Sequence, residues 1–481
     1  MVVLHDKFFL CYFVSNFGNL LPTFINIFFF THLAIAAAGS FSGFFLFYTK
    51  LEKFLKNYAI AVGVFFILLF FFKFSAMFYL NFVLKPKNLI CFSSFFGDIL
   101  IILSLLTSLV SWAYLGERYQ FKNSFSVFYF YVFVVATVNM VYSRNLLVMF
   151  IFFEFIFLPS LFFVYNYGYS KKVEKTISYL LYWTLSGSFL VLIGLSYLYL
   201  TKHTLQLEEL VKTNVTPTET LVLFFLFFLG FGIKIPVWPF HYWLTKVHVE
   251  APTGFSMFLS GFLVKTALFC LIFFFNLFAS AIINLFAITI FVWGFADASF
   301  RMWMSTDIKR LIAFATIQEM NLIGAFLILL EVTDYSFLSL FLLVHGLLST
   351  LMFYLVDSIQ KRAHTRHLAA LGGFSTIFPK LHCIVWLIIL VFRGFPLFVK
   401  FFIEWELMFL FSNNFGIFGV IFFMIVSAFG ALGFCRIWFV VFYGQPQFKL
   451  SGLGSMLRRD WVIGIAICIL LILSASFLFL F

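Results

Sequence analysis

Apolar runs of about twenty residues recur from one end of this chain to the other, the length a helix needs to cross a bilayer. Inside lipid every backbone N–H and C=O must be bonded within the protein, so such a chain folds as a bundle of membrane-spanning helices. Composition agrees. Of 481 residues 64% are hydrophobic and 10% charged, with mean hydropathy +1.09, a balance that excludes a soluble globular protein of this size.

The runs predict fourteen helices, near residues 20–48, 57–83, 94–116, 124–143, 145–165, 177–200, 220–247, 252–277, 281–304, 309–330, 335–358, 381–411, 415–443 and 461–481. Residues 1–19 extend the first helix or lie at the interface. The fold class is therefore all-α and polytopic. Alternating the loops puts only Lys7, Lys85, Lys87, Arg144, Lys202 and Lys212 on one side of the membrane and nineteen basic residues on the other. That asymmetry is the positive-inside pattern, and it sets both termini on the outer side. It also accounts for the net charge of +12 without a nucleic-acid partner, because the basic residues sit in short loops rather than on one face or tail. Lipid is the surrounding partner.

The 81 phenylalanines suit an A+T-rich gene such as those of organelle genomes. No cleavable signal or Arg-rich transit sequence precedes the first run, which suits insertion from the side of synthesis. The six cysteines stand singly with no CxxC, so neither an iron–sulfur cluster nor a disulfide framework is indicated. His364 and His367, three apart in a basic loop, do not by themselves make a metal site. No cofactor or metal site is predicted in this chain.

Against this apolar background the interior charges stand out. Lys73, Lys234, Lys265, Arg393, Lys400 and Arg436 fall within predicted helices, and Glu154, Glu319, Glu404 and His345 fall near mid-span. Each such charge costs about 2.5–3.5 kcal/mol on insertion scales, so it persists only when paired, hydrated or used. Snorkelling or a structural pair explains one of them, Lys73 or Arg436 for instance. An array of acids and bases at similar depth is what a proton path requires.

Two helices are predicted to break. In FLGFGIKIPVWPFHYW (228–243), Pro236 and Pro239 remove backbone donors just after Lys234, so a half-helix ends there with its negative dipole end toward the ammonium. In VFRGFPLFVKFFIEWE, Gly394 and Pro396 precede Glu404. The breaks fall in the seventh and twelfth helices, five apart, which predicts two inverted five-helix repeats at 124–277 and 281–443. Residues 1–123 then form an N-terminal group of helices, and 444–481 a loop and last span.

GIKIPVWPFHYWLTKVHVEAP (232–252) resembles the antiporter-like, proton-pumping subunits of respiratory complex I, with KxP, HxWL and KxHVEAP in place. LLVMFIFFEFIFLPS resembles that family's fifth helix. TDIKRLIAFATIQEMNLIG and HGLLSTLMFYLVDSIQKRAHTR resemble two further family stretches, and the likeness covers about 140–410. Sister subunit 5 reads DAMEGPTP where this chain has KVHVEAP, and sister subunits 2 and 5 carry Lys where it has Glu404.

The resemblance implies roles for these residues. Glu154 and Lys234 form an intramembrane pair that tunes the lysine's proton affinity, Lys265 and His345 relay, and Glu404 exchanges protons toward one compartment. His241 lines the channel or caps the broken helix, and His248 and Glu250 hold loop structure near the start of the eighth helix. The implied setting is the mitochondrial inner membrane, beside sister subunits 2 and 5, in a complex that uses NADH, FMN, iron–sulfur clusters and ubiquinone held elsewhere. At an effective dielectric of about 20, unit charges 4 Å apart interact by roughly 4 kcal/mol, so opening one ion pair changes a proton affinity by about a thousandfold.

Two departures matter. Glu319 stands where the family has histidine, a change expected to be interchangeable with it, and adds negative charge beside His345. Lys400 stands where small residues are usual, four residues before Glu404 and on its face of a helix. It either pairs with Glu404 structurally or holds it ionised. Two other classes share part of this signature: a sodium/proton antiporter or membrane-bound hydrogenase subunit, and a silent scaffold between other membrane subunits.

Overall fold

The computed structural model describes residues 89–118, 125–168, 173–213, 215–278, 280–330 and 335–444, with a few positions between 464 and 471. The predicted spans 20–48 and 57–83, Lys73, and most of 461–481 lie outside the described residues. The chain divides into two compact units, residues 1–160 and 161–481.

In the first unit α1 (Leu89–Arg118) packs on α2 (Phe125–Tyr142), where Gly97 admits the side chain of Val141. The Tyr142 hydroxyl donates to Asp98 Oδ1 at 3.1 Å, giving a buried carboxylate a partner. α3 (Leu146–Tyr167) carries Glu154, half-buried at mid-helix, and Pro159.

The second unit continues with α4 (Val173–Lys202), a short α5 (Leu207–Leu210), α6 (Pro217–Lys234) and α7 (Tyr242–Glu250). α8 (Thr253–Phe258) then passes through a π turn (Leu259–Leu263) into α9 (Val264–Phe278). After it come α10 (Ala281–Met304), α11 (Ile308–Leu329) and α12 (Tyr335–Ala363). A short α13 (Phe374–Ile377), α14 (Pro379–Phe392) and α15 (Val399–Phe442) complete the unit. Helix starts follow local chemistry. Thr216 and Glu219 form a capping box ahead of Pro217, Ser280 caps α10, and Asp307 accepts from the Lys309 amide to start α11.

Eight helices among the described residues are long and apolar enough to span a membrane. The predicted span 281–304 coincides with α10, while α12 runs five residues past its predicted end. The predicted division between 411 and 415 reduces to one glycine. α15 is interrupted only at Gly416, with φ 63° and ψ −162°.

Burial sorts these helices. The apolar windows of α8–α9 and α12 are wholly buried and that of α11 nearly so, whereas those of α4, α10 and α15 are less than half buried. The three enclosed helices form the interior of the second unit. A charge can be kept there only if protein atoms replace its hydration.

Candidate functional site

The first break lies between α6 and α7. α6 ends at Lys234, as the prolines require, and Pro236 to His241 turn the chain before α7 starts. Ending a helix leaves carbonyls without partners. The returning α7 supplies one, since Trp243 Nε1 donates to the Ile233 carbonyl at 2.8 Å. From α11, Asn321 Nδ2 donates to the Pro236 carbonyl at 3.3 Å and ties the break to the central helices. Lys234 is fully buried and donates to Ser188 Oγ on α4 at 2.9 Å. Glycines make that approach possible, because a Cβ on Gly187 would sit 2.6 Å from the Gly230 carbonyl.

Lys265 is also fully buried, on α9 just past the π turn. A π turn leaves a carbonyl out of the α-helical ladder. Here the Ser260 carbonyl accepts from Lys265 Nζ at 2.6 Å, five residues on. α9 packs on α11 and the π turn packs on α12, the helices that carry Glu319 and His345.

Glu319 (α11) is the hub. Its Oε2 stands 3.9 Å from His345 Nδ1 (α12), and its Oε1 accepts from Lys400 Nζ (α15) at 2.6 Å. Lys400 also lies 3.5 Å from Glu404 Oε1 and donates to the Phe392 carbonyl at 2.6 Å. The predicted pairing of Lys400 with Glu404 is thus present, but Glu319 is the nearer carboxylate. A cavity of about 150 Å³ opens beside these groups, lined by Gln318, Glu319, Arg393, Lys400, Glu404 and Ser427 among others. Glu404 is its most accessible carboxylate, with a side chain 19% exposed against 5% for Glu319. Gly394 lets Glu404 sit where it does. Its φ is +62°, and a Cβ there would collide with the Glu404 carboxylate.

The second break, between α14 and α15, is therefore the densest part of the site. Four candidates taken from three distant stretches of sequence, Glu319, His345, Lys400 and Glu404, are brought into one cluster, and Lys265 is buried on the neighbouring α9. Lys234 faces α4 instead. Glu154 belongs to the first unit.

The remaining candidates sort differently. His241 does not cap α7 with its side chain. It lies 3.3 Å from Asp297 Oδ2 on α10, an oxygen that also accepts from Arg301 Nε at 2.7 Å. The capping alternative is thus corrected: the imidazole is drawn away from the helix end by a carboxylate. His248 is buried within α7, stacked on Phe353 at 4.6 Å, so its setting is a packed helix rather than a loop, and Glu250 ends that helix. Arg436 donates to the carbonyls of Trp303 and Ser305, the open C-terminal end of α10, which agrees with a structural role.

Sequence reasoning missed a second buried layer on the same central helices. Lys309, counted among loop cations, is fully buried and donates to the Ala251 carbonyl at 2.5 Å. Asp357 accepts from Thr253 Oγ1 at 2.6 Å and pairs with Lys361 at 2.8 Å. Thr253, Lys309 and Asp357 stand ten to twelve residues from Lys265, Glu319 and His345, about 15–18 Å along each helix. The missed signal was positional, since these residues flank helix ends where charge looks ordinary.

Fold and site together define a polytopic helical membrane protein with two broken helices and a cluster of acids and bases gathered beside the second break. The chain belongs to the NADH:quinone oxidoreductase/Mrp antiporter transmembrane family, which it matches over residues 143–430. It is similar to the NADH-ubiquinone oxidoreductase chain 4 of Paramecium tetraurelia, 36% identical over 352 residues, covering 73% of this chain and 74% of that one. The Mrp complex from Dietzia shares the fold, with TM-score 0.71 at 16% identity over 80% of this chain and 81% of the other. Respiratory complex I from Thermus thermophilus does too, with TM-score 0.69 at 19% identity over 81% and 80%.

Proposed function

We propose that this chain is the antiporter-like subunit of a respiratory NADH:ubiquinone oxidoreductase that carries protons across its membrane, driven by electron transfer from NADH to ubiquinone elsewhere in the complex. One observation carries the reading. Glu319, His345, Lys400 and Glu404 share one largely buried cluster, beside a cavity lined by Gln318, Arg393 and Ser427 as well as by apolar side chains, and Lys265 is buried on the neighbouring α9. Buried charges costing several kcal/mol are kept when their ionisation is used. The relationship to proteins named NADH-ubiquinone oxidoreductase chain 4 supports the same assignment.

In this reading Glu154 and Lys234 form the pair whose opening loads or discharges the lysine. Protons pass by Lys265, Glu319 and His345, and leave by Glu404. His241, beside Asp297, lines a side branch, and His248 with Glu250 supports the central layer. The chain holds no redox centre; NADH, FMN, iron–sulfur clusters and ubiquinone belong to other subunits. Its neighbours are the sister antiporter-like subunits 2 and 5. The two breaks mark inverted repeats at 124–277 and 281–443, and both termini face the intermembrane space.

Lys234→Ala and Lys265→Ala in the assembled complex test this. Each is expected to lower NADH:quinone turnover coupled to proton transport at least tenfold with normal assembly. Normal turnover in both would refute the assignment. The fold shared with an Mrp complex keeps a sodium/proton antiporter in view, and transport that stops without sodium would favour it.

A further inference from the structure

The Lys400 ammonium stands between two carboxylates on different helices, 2.6 Å from Glu319 and 3.5 Å from Glu404. A third contact, the Phe392 carbonyl, closes the last turn of α14. Lys400 is itself the second residue of α15, where the positive end of the helix dipole opposes a cation. Its position is thus set by two carboxylates for one ammonium, Glu404 from its own helix and Glu319 from α11. The other groups facing it are His345 beyond Glu319, the Phe392 ring at 4.3 Å, and Gln318 and Arg393 on the cavity wall. A polar cavity of this size has room for several waters.

We propose that Lys400 is a mobile counter-ion that moves between Glu319 and Glu404 against the direction of the proton. The proposal rests on the proton-translocation reading above. A proton delivered to Glu319 forms an O–H bond there and cancels the charge that holds the ammonium, which then shifts to the Glu404 carboxylate. When the proton crosses the cavity, the Glu319 O–H breaks, one forms on Glu404, and the ammonium returns to Glu319. Glu404, the more exposed acid, then releases the proton. No electron moves, Lys400 stays protonated throughout, and each proton gained at Glu319 is one lost from Glu404. Once the proton is on Glu404, the ammonium beside the ionised Glu319 opposes its return.

This also revises the expected interchange of Glu319 with histidine. Glu319→His alone would leave Lys400 buried without its nearest carboxylate, so the two departures belong together.

The test uses the assembled complex with four variants. Lys400→Arg keeps the charge but presents a planar fork that engages both carboxylates at once. It is expected to assemble normally and to lower coupled turnover at least fivefold. E319H is expected to run at a tenth of wild type or less, and E319H/K400S to recover at least fivefold over it, because a histidine relay needs no counter-ion. Wild-type turnover and proton-per-electron ratio in Lys400→Arg would make Lys400 a fixed brace and overturn the proposal, as would failure of K400S to rescue E319H. K234A separates the two levels of inference. Full activity in K234A defeats the proposed function itself, whereas an inactive K234A beside a fully active Lys400→Arg defeats only the mobile counter-ion.

Discussion

The two broken helices use a buried lysine in opposite ways. At the first, Lys234 is the last residue of α6, and the carboxyl end of the half-helix itself favours an ammonium. A serine hydroxyl from α4 accepts one of its hydrogen bonds. At the second, Lys400 is the second residue of the resuming half-helix, where the dipole disfavours a cation. Glu319 and Glu404 must supply what the backbone withholds, and the Phe392 carbonyl recruits the favourable end of the preceding half-helix. The same device, a helix interrupted at bilayer depth, thus places one lysine at the favourable end of its half-helix and another at the unfavourable end, where one carboxylate from α11 and one from α15 itself hold it. Charge at the second break is consequently more dependent on tertiary contacts.

That contrast can be broken most directly at Lys400. Lys400→Met strands a carboxylate at Glu319 that is 5% exposed, and removing one partner of a buried pair costs about 3–5 kcal/mol. The amount of assembled complex on native gels should fall severalfold; an unchanged amount would mean the pair contributes nothing to stability. A smaller effect separates the glycines of the two breaks. Gly394→Ala should cost about 1–2 kcal/mol for its left-handed backbone and displace Glu404, lowering both thermal stability and coupled turnover. Gly232→Ala, where the nearest atom to a Cβ is Val237 Cγ2 at 3.7 Å, should leave both unchanged. Equal losses would erase the distinction.

Ser188→Ala comes next. It removes a hydroxyl that accepts from Lys234, a loss of about 1.5–3 kcal/mol for a hydrogen bond to a charged group, and should slow coupled turnover severalfold without affecting assembly. The smallest change is expected from Trp243→Phe, which deletes the bond to the Ile233 carbonyl. A destabilisation of about 1 kcal/mol, read as a small drop in melting temperature, would show that the first break is held mainly by its backbone.

Much of the site could be read from the chain because a charge in an apolar run is conspicuous. Lys234, Lys265, Glu319, His345, Lys400 and Glu404 all announced themselves that way, and the prolines marked the first break. Lys400 shows where this reading stopped. Its helix-mate Glu404 was visible four residues on, but Glu319 lies 81 positions away and nothing local points to it. Lys309 and Asp357 were hidden differently: near helix ends a charge looks solvated, and only packing shows that both are fully buried. His241 was ambiguous between helix cap and channel, and Asp297 on another helix removed the capping alternative.

By itself the sequence determined that the chain is a multi-pass helical membrane protein, where two of its helices break, and which charges demand an explanation. These are local properties, set by hydropathy over twenty residues, by the missing N–H of proline and by the energy of a bare charge in hydrocarbon. Which carboxylate holds which ammonium was decided only in the tertiary structure. A helix-centre charge constrains its partner to be near in space, and the chain can bring almost any residue there.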